Sequence, residues 1–228
     1  MKKISLPSEL VYFLSIIIIS FAVAMVTAAD FGISMIVAPA YIVSQKLGIS
    51  FGVSEYLIQG VLFIGLCFAM KGFKPLYLFS FITCLIYGAF LDLWRYIIPA
   101  FNPTITNFSQ VNIVVRIVFL VVGEILTTLA VALSFKTYLY AQVYDFFVKG
   151  ISEKYNIKTS KFKFIFDICC LLVGVVLTLV LFKCFIGIGW GTLLMALCNG
   201  GLIGLFSKLY DKFFVSTPLL KKLAKHFE

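Results

Sequence analysis

Residues 11–29 read VYFLSIIIISFAVAMVTAA, a run without one charged side chain. A helix needs roughly 20 apolar residues to cross a bilayer core, so this run is long enough to span. Met1-Lys2-Lys3 ahead of it and Thr27-Ala28-Ala29 at its end imitate a secretory signal. The apolar run is longer than the roughly 7–15-residue core of a signal peptide, and more runs follow it. It therefore reads as an uncleaved first helix. Working outward, the same test picks out residues 54–70, 75–98, 111–135, 164–182 and 188–206. That makes six spans.

Composition agrees. Of 228 residues, 62% are hydrophobic and 13% charged, with 25 Phe. The mean hydropathy is +1.08. A soluble domain is nearer half apolar and about a quarter charged, because polar side chains must cover its outside. A soluble enzyme, a nucleic-acid binder and a disordered chain are excluded on this ground. The six Cys (67, 84, 169, 170, 184 and 198) lie in or at the ends of apolar runs, without C-x-x-C spacing. The single His is His226, so neither a metal site nor a cofactor site is expected.

Residues 32–48 and 138–155 are apolar but too short or too wet to cross. The second carries Asp145, Lys149, Glu153 and Lys154. Both read as re-entrant or interfacial half-helices. Pro39 within the first predicts a kink or a late start.

The 19 Lys and Arg test the span count. With the N-terminus in the cytoplasm, 15 fall in inside regions; Lys46, Arg95, Arg116 and Lys183, the other 4, fall outside. The positive-inside rule thus predicts six spans with both termini cytoplasmic. If one half-helix crossed, the Lys-rich stretch 149–163 would face outward, against the rule. The run 207–228 is basic and amphipathic, and Lys221, Lys222 and Lys225 either touch anionic headgroups or belong to a solvated tail.

The two halves of the chain look related. A shift of 108 residues carries Ala22-Val23-Ala24-Met25 onto Ala130-Val131-Ala132-Leu133, and Ser44-Gln45-Lys46-Leu47 onto Ser152-Glu153-Lys154-Tyr155. It also carries Gln59 onto Asp167. After a short insertion the shift becomes 112, and Gly88-Ala89-Phe90-Leu91 falls on Gly200-Gly201-Leu202-Ile203. The identities are sparse; the order span, half-helix, span, span is the stronger sign. Three spans per unit turn the second unit upside down, the plan of many secondary transporters. The expected fold is all-α: a polytopic membrane protein of two inverted three-helix repeats, residues 1–107 and 108–214, with a basic tail at 215–228.

Gly32-Ile33-Ser34, a helix, and then Gly48-Ile49-Ser50-Phe51-Gly52 resemble the YczE/YitT group of bacterial membrane proteins. So do Tyr144-Asp145, Gly150-Ile151-Ser152-Glu153-Lys154, Asp167, and the stretch from Gly187 through Gly191-Thr192 to Gly200-Gly201. The chain departs from that pattern at Asn156-Ile157-Lys158-Thr159, at Val143, and at Phe79-Ser80. Members of the group are described as integral membrane proteins or transporters, so the resemblance implies fold and location in a bacterial plasma membrane, not a substrate.

An ionisable group at bilayer depth is costly and usually faces a partner or water. Glu124 lies mid-span near Thr127 and Thr128. It reads as a proton- or cation-responsive carboxylate, or as the partner of an Arg. Asp167 is a cavity-facing ligand or an interfacial carboxylate paired with Lys161 or Lys163. Gln59 is its mate in the first half. Asp92 and Arg116 fit an ion pair toward the outer side; Arg116 alternatively faces Glu124. Asp145, among Tyr138, Tyr140 and Tyr144, reads as part of a membrane-surface face in preference to an inner vestibule. Asn199 lies mid-span before Gly200-Gly201, where small residues let helices approach. Gly32, Ser34, Gly48 and Gly52 bound the first half-helix as turn formers.

No enzyme constellation is present, so no catalytic residue is expected. The function expected first is a secondary transporter or facilitator of a small solute, proton-responsive through Glu124. Two alternatives are the substrate-binding subunit of an energy-coupling-factor vitamin importer, for which Ala22, Ala24 and Ala28 offer a faint signature, and a non-transporting accessory protein. The partners these roles imply are the lipid bilayer, a small solute, and a homodimer or an ATPase-containing complex; nucleic acid is not among them.

Overall fold

The computed structural model describes residues 3–227. Six helices are long and apolar enough to cross a membrane. They are α1 (Ser8–Ala29), α3 (Phe51–Ala69), α4 (Leu78–Ile97), α5 (Ile113–Ser134), α7 (Thr159–Phe182) and α8 (Trp190–Phe213). Two short helices, α2 (Ala38–Leu47) and α6 (Val143–Lys154), sit where the half-helices were expected. Near the ends lie β1 (Ile4–Pro7), β2 (Phe214–Thr217) and α9 (Lys221–Phe227).

Local chemistry sets the boundaries. Pro39 stands in the first turn of α2, where its missing N–H costs nothing, so the helix starts late instead of kinking. Gly48 ends it at φ +65°, a conformation that Cβ-bearing residues rarely adopt. Ser50 caps α3 by accepting from the Val53 N–H at 3.2 Å, and Asn112 caps α5 by accepting from Val114 at 2.8 Å.

α1 and α5 pack along their length, with α4 on α1 and α8 on α5. Ala22, Ala24, Ala28 and Ala29 are almost fully buried, so the small face of α1 is its packing face within this chain. A Cβ on Gly123 would run into Val26 and the Ala22 carbonyl of α1. α3 and α4 cross as closely at Gly52, where a Cβ would meet the Gly88 carbonyl and the Asp92 carboxylate. α2 lies on α3 and α7; α6 lies on α3 and α7 and reaches α4. Both short helices are therefore embedded among the long ones, with Ala38, Ile42 and Val143 completely covered.

Three expectations need correction. The last long helix runs on to Phe213, past residue 206, because Ser207–Tyr210 keep the helical register on the covered side at Tyr210. The tail beyond it begins in β2, which pairs in parallel with β1, so the boundary drawn at residue 214 falls inside a hydrogen-bonded element. Gly200 and Gly201 do not bring helices together: no atom lies within 4 Å of a Cβ added at either. The side chain of His226 lies outside the described residues.

The strand pair holds both chain ends on one face, as an even number of spans requires. Glu9 reinforces it: its carboxylate accepts from the Leu219 and Leu220 N–H groups at 3.0 and 2.9 Å and from the Tyr138 hydroxyl at 2.7 Å. Burial, and this bond to a carboxylate, push the Tyr138 hydroxyl up to about 12.

Two outcomes follow. Gly52→Ala should destabilise the protein by about 1–3 kcal/mol, because the crossing must widen. Gly201→Ala, in open space, should be near neutral. Unfolding in mixed micelles titrated with dodecyl sulfate compares them. Glu9→Gln should weaken the grip on the segment after β2 and speed tryptic cleavage at Lys221 several-fold, read by mass spectrometry at neutral pH.

Candidate functional site

The polar residues at the centre converge where the two short helices begin. On α3, Glu55 and Gln59 stand one turn apart and are both completely buried. The Gln59 amide donates to Glu55 Oε2 at 3.0 Å and to Gln142 Oε1 at 3.2 Å, and its Oε1 accepts from the Val143 N–H at 3.1 Å. Val143 opens α6, and the side chain of its N-cap residue, Gln142, makes no capping hydrogen bond. An orphan amide at a helix start must find a partner when water is excluded. Gln59, from a different helix, is that partner.

Tyr144 follows. Its hydroxyl interacts with the Glu55 carboxyl, yet neither Oη nor Glu55 Oε1 closes a hydrogen bond of normal geometry among the described residues. Burial pushes the Tyr144 hydroxyl well above its ordinary range. On α7, Lys163 and Asp167 form an ion pair at 3.4 Å. A cavity of about 70 Å³ lies between the two sides, bordered by Ser34 ahead of α2, Tyr144 and Asp145 of α6, Lys163 of α7 and Asn199 of α8.

A second cavity, about 560 Å³, lies on the face that carries both chain ends. Tyr77, Tyr140 and Phe146 form an aromatic wall there. Phe146 stacks on Tyr140 with centroids 4.3 Å apart and meets Tyr77 edge-on at 5.1 Å. Asp145 borders both this vestibule and the central cavity. The expected membrane-surface place for Asp145 is corrected accordingly: α6 turns it inward, because its first turn is held by Gln59. Burial pushes the Asp145 carboxyl above its ordinary range, and Lys163 pulls it back.

On the opposite face two backbone straps meet, beside a cavity of about 320 Å³ that they line with Asp30 and Tyr41. The Ile33 N–H donates to the Gly187 carbonyl at 3.0 Å and the Gly191 N–H to the Phe31 carbonyl at 2.7 Å. Gly32, at φ +101°, lies so close to Gly189 that a Cβ on either would overlap the other strap.

The remaining candidates divide. Asp92 and Arg116 do not pair. Asp92 accepts from the Gly52 N–H at 2.8 Å and from the Ser50 hydroxyl, closing the start of α3. Arg116 donates to the Ala29 and Asp30 carbonyls, both at 2.8 Å, pairs with the Asp30 carboxylate at 3.3 Å, and lies over the Phe31 ring. These contacts turn it to the end of α1, so Glu124 gains no partner from it. Glu124 is 3% exposed, and neither carboxylate oxygen has a hydrogen-bond partner among the described residues. The Thr127 and Thr128 hydroxyls donate to backbone carbonyls. Thr127 lines the central cavity. Of the turn formers, Ser34 lines that cavity, Gly32 belongs to the strap, and Gly48 and Gly52 bound the junction of α2 and α3.

Glu55 is the residue that sequence reading passed over, hidden in the apolar window 54–70. A signal was present: the 108-residue shift that carries Gln59 onto Asp167 carries Glu55 onto Lys163. Each helix thus bears a polar pair four residues apart.

The chain is 26% identical to the uncharacterized protein YyaS of Bacillus subtilis (strain 168), over 90% of its own length and 94% of that protein's. No solved structure matches it. A family model, described as a family of unknown function (DUF6198), matches residues 6–208, and the chain belongs to that family.

Proposed function

We propose that the protein is a secondary transporter or facilitator of a small solute, built from two inverted three-span repeats and working by alternating access around the central cavity. One observation carries the reading: the segments that open α2 and α6 both border a single cavity, together with Lys163 and Asn199 from the long helices. Broken or short helices that begin at a shared central site are the plan of many secondary transporters. Exchange of the halves is supported by packing. α1 meets α4 as α5 meets α8, α2 lies on α7 as α6 lies on α3, and α1 and α5 lie on each other, whereas the extensive α3–α4 packing has no equal between α7 and α8. On this reading residues 1–107 and 108–214 are the two units.

The conformation then has its larger cavity on the face of the chain ends, with the Phe31–Ile33 and Gly187–Gly191 straps bonded to each other on the opposite face. The Lys distribution supports a cytoplasmic setting for that open face, in a bacterial plasma membrane. The turns at Gly32 and Gly48 support kinship with the YczE/YitT group. The protein does no covalent chemistry on its solute in this scheme. Glu124, buried without a hydrogen-bond partner among the described residues, answers to protonation and couples the cycle, while Asp145 and Asn199 face the solute path and Asp167 holds Lys163 at its edge.

Glu124→Gln removes the titration and keeps the shape. It should insert normally and abolish pH-dependent flux in proteoliposomes loaded with a pH-sensitive dye, at least tenfold below the unsubstituted protein. Full retention of pH-dependent flux would sink the coupling role. Absence of any flux, with stoichiometric recovery of ATPases or of one unrelated enzyme from the native membrane, would favour the importer-subunit or accessory role instead.

A further inference from the structure

We infer that the site takes a small organic cation, an ammonium or guanidinium group seated at Asp145 against the rings of Tyr77, Tyr140 and Phe146. The inference rests on the transporter reading for what the site is for, but not for whether it binds.

The charge of the site is unbalanced. Asp145 and Asp167 supply two negative charges, and Lys163, already paired with Asp167 at 3.4 Å, supplies one positive charge. Asp145 accepts no described hydrogen bond, and among the described residues Lys163 is the cationic group that acts on it. Its side chain borders the vestibule, the central cavity and a small gap of about 20 Å³ beside Tyr12 and Thr83. Asp145 is therefore the carboxylate shared by the vestibule and the central cavity.

The walls fit the same chemistry. A cation gains from the face of an aromatic ring within roughly 6 Å, and more where water is thinned out. Three mutually packed rings stand beside Asp145 in the vestibule. Beyond it Tyr144, 5% exposed, lines the central cavity, with its hydroxyl directed to the Glu55 carboxyl. A volume of about 560 Å³ lies within the roughly 300–1,000 Å³ range of small-molecule pockets. Lys74, Lys149 and Lys154 also border the vestibule, but all three are exposed at its rim. Lys154 is turned to the Ala69 carbonyl. Lys149 stands one turn from Asp145 on α6, but its ammonium is in water, where a charge pair is worth far less than at a site from which water is excluded, so the deep carboxylate decides the sign of the guest.

The test is calorimetric. Purified full-length protein in detergent is titrated with benzyltrimethylammonium, and in parallel with benzenesulfonate and benzyl alcohol as anionic and neutral probes of similar size. Saturable binding of the cation alone is expected. Asp145→Asn should weaken it at least tenfold. Lys163→Gln should tighten it several-fold by removing the competing positive charge, an effect that a merely structural disturbance would not produce. Lys208→Gln, exposed on α8 and away from both cavities, should leave it unchanged. Where Asp145→Asn fails to fold, Phe146→Leu reads the same site through the ring and should weaken binding several-fold. Equal binding of the three probes, preference for the sulfonate, or weakening by Lys163→Gln would overturn the inference. Cation binding without uptake into proteoliposomes upholds the site and overturns the transporter reading; pH-dependent flux without cation binding overturns the site alone.

Discussion

A backbone N–H at the start of a helix buried away from water has to be bonded, and here a side chain from another helix does the bonding. The Gln59 carbonyl accepts from Val143, and its amide holds Glu55 and Gln142. With that residue in place, α6 is anchored by its first turn and Asp145 points inward. Two of the vestibule rings, Tyr140 and Phe146, are carried on the same helix and its approach, and the third, Tyr77, comes from the start of α4. Remove the contact and a buried amide and a buried carboxylate lose partners together, at a cost of about 1–3 kcal/mol for each group left unsatisfied. The rest of the centre is arranged around this tie.

The two sides of the centre are not equivalent. On α3 the polar pair is neutral against acid, Gln59 with Glu55, and is consumed in holding α6. On α7 the matching positions are Lys163 and Asp167, which hold each other and leave the start of α2 facing open space. One side is a dry joint; the other is a cavity wall. A tightly bonded joint thus lies on one side of the centre and a cavity on the other.

Much of the architecture was legible in the sequence because a bilayer leaves few options. Apolar runs of span length became the six long helices, and the surplus of Lys in alternate loops agrees with an even count. Pro39 and Gly48 marked the limits of α2 through backbone geometry alone. The parts that escaped are those without a local signal. Strands of four residues at opposite ends of the chain have no periodicity to read. Glu55 is one acid in an apolar window, indistinguishable there from a tolerated defect. Asp92 and Arg116 sit at suitable depth for a pair, but each satisfies backbone groups that only the folded arrangement brings near: the N–H of Gly52 for one, the carbonyls of Ala29 and Asp30 for the other. Tertiary geometry chose among partners that the sequence offered equally.

The strand pair β1–β2 makes the chain nearly a ring. Its ends run side by side in parallel for four residues, in register from Ile4 with Phe214 to Pro7 with Thr217. A chain of this kind has no mechanically privileged end: tension applied at residue 4 is passed across the ladder to α8 before it reaches α1 alone. It also separates connectivity from sidedness. A circular permutant that joined the paired ends and opened the exposed loop near Pro103–Thr104 would keep every helix contact described above. It would also begin and finish on the opposite face. Insertion of such a chain would then be governed by where its lysines lie, and not by which helix is made first.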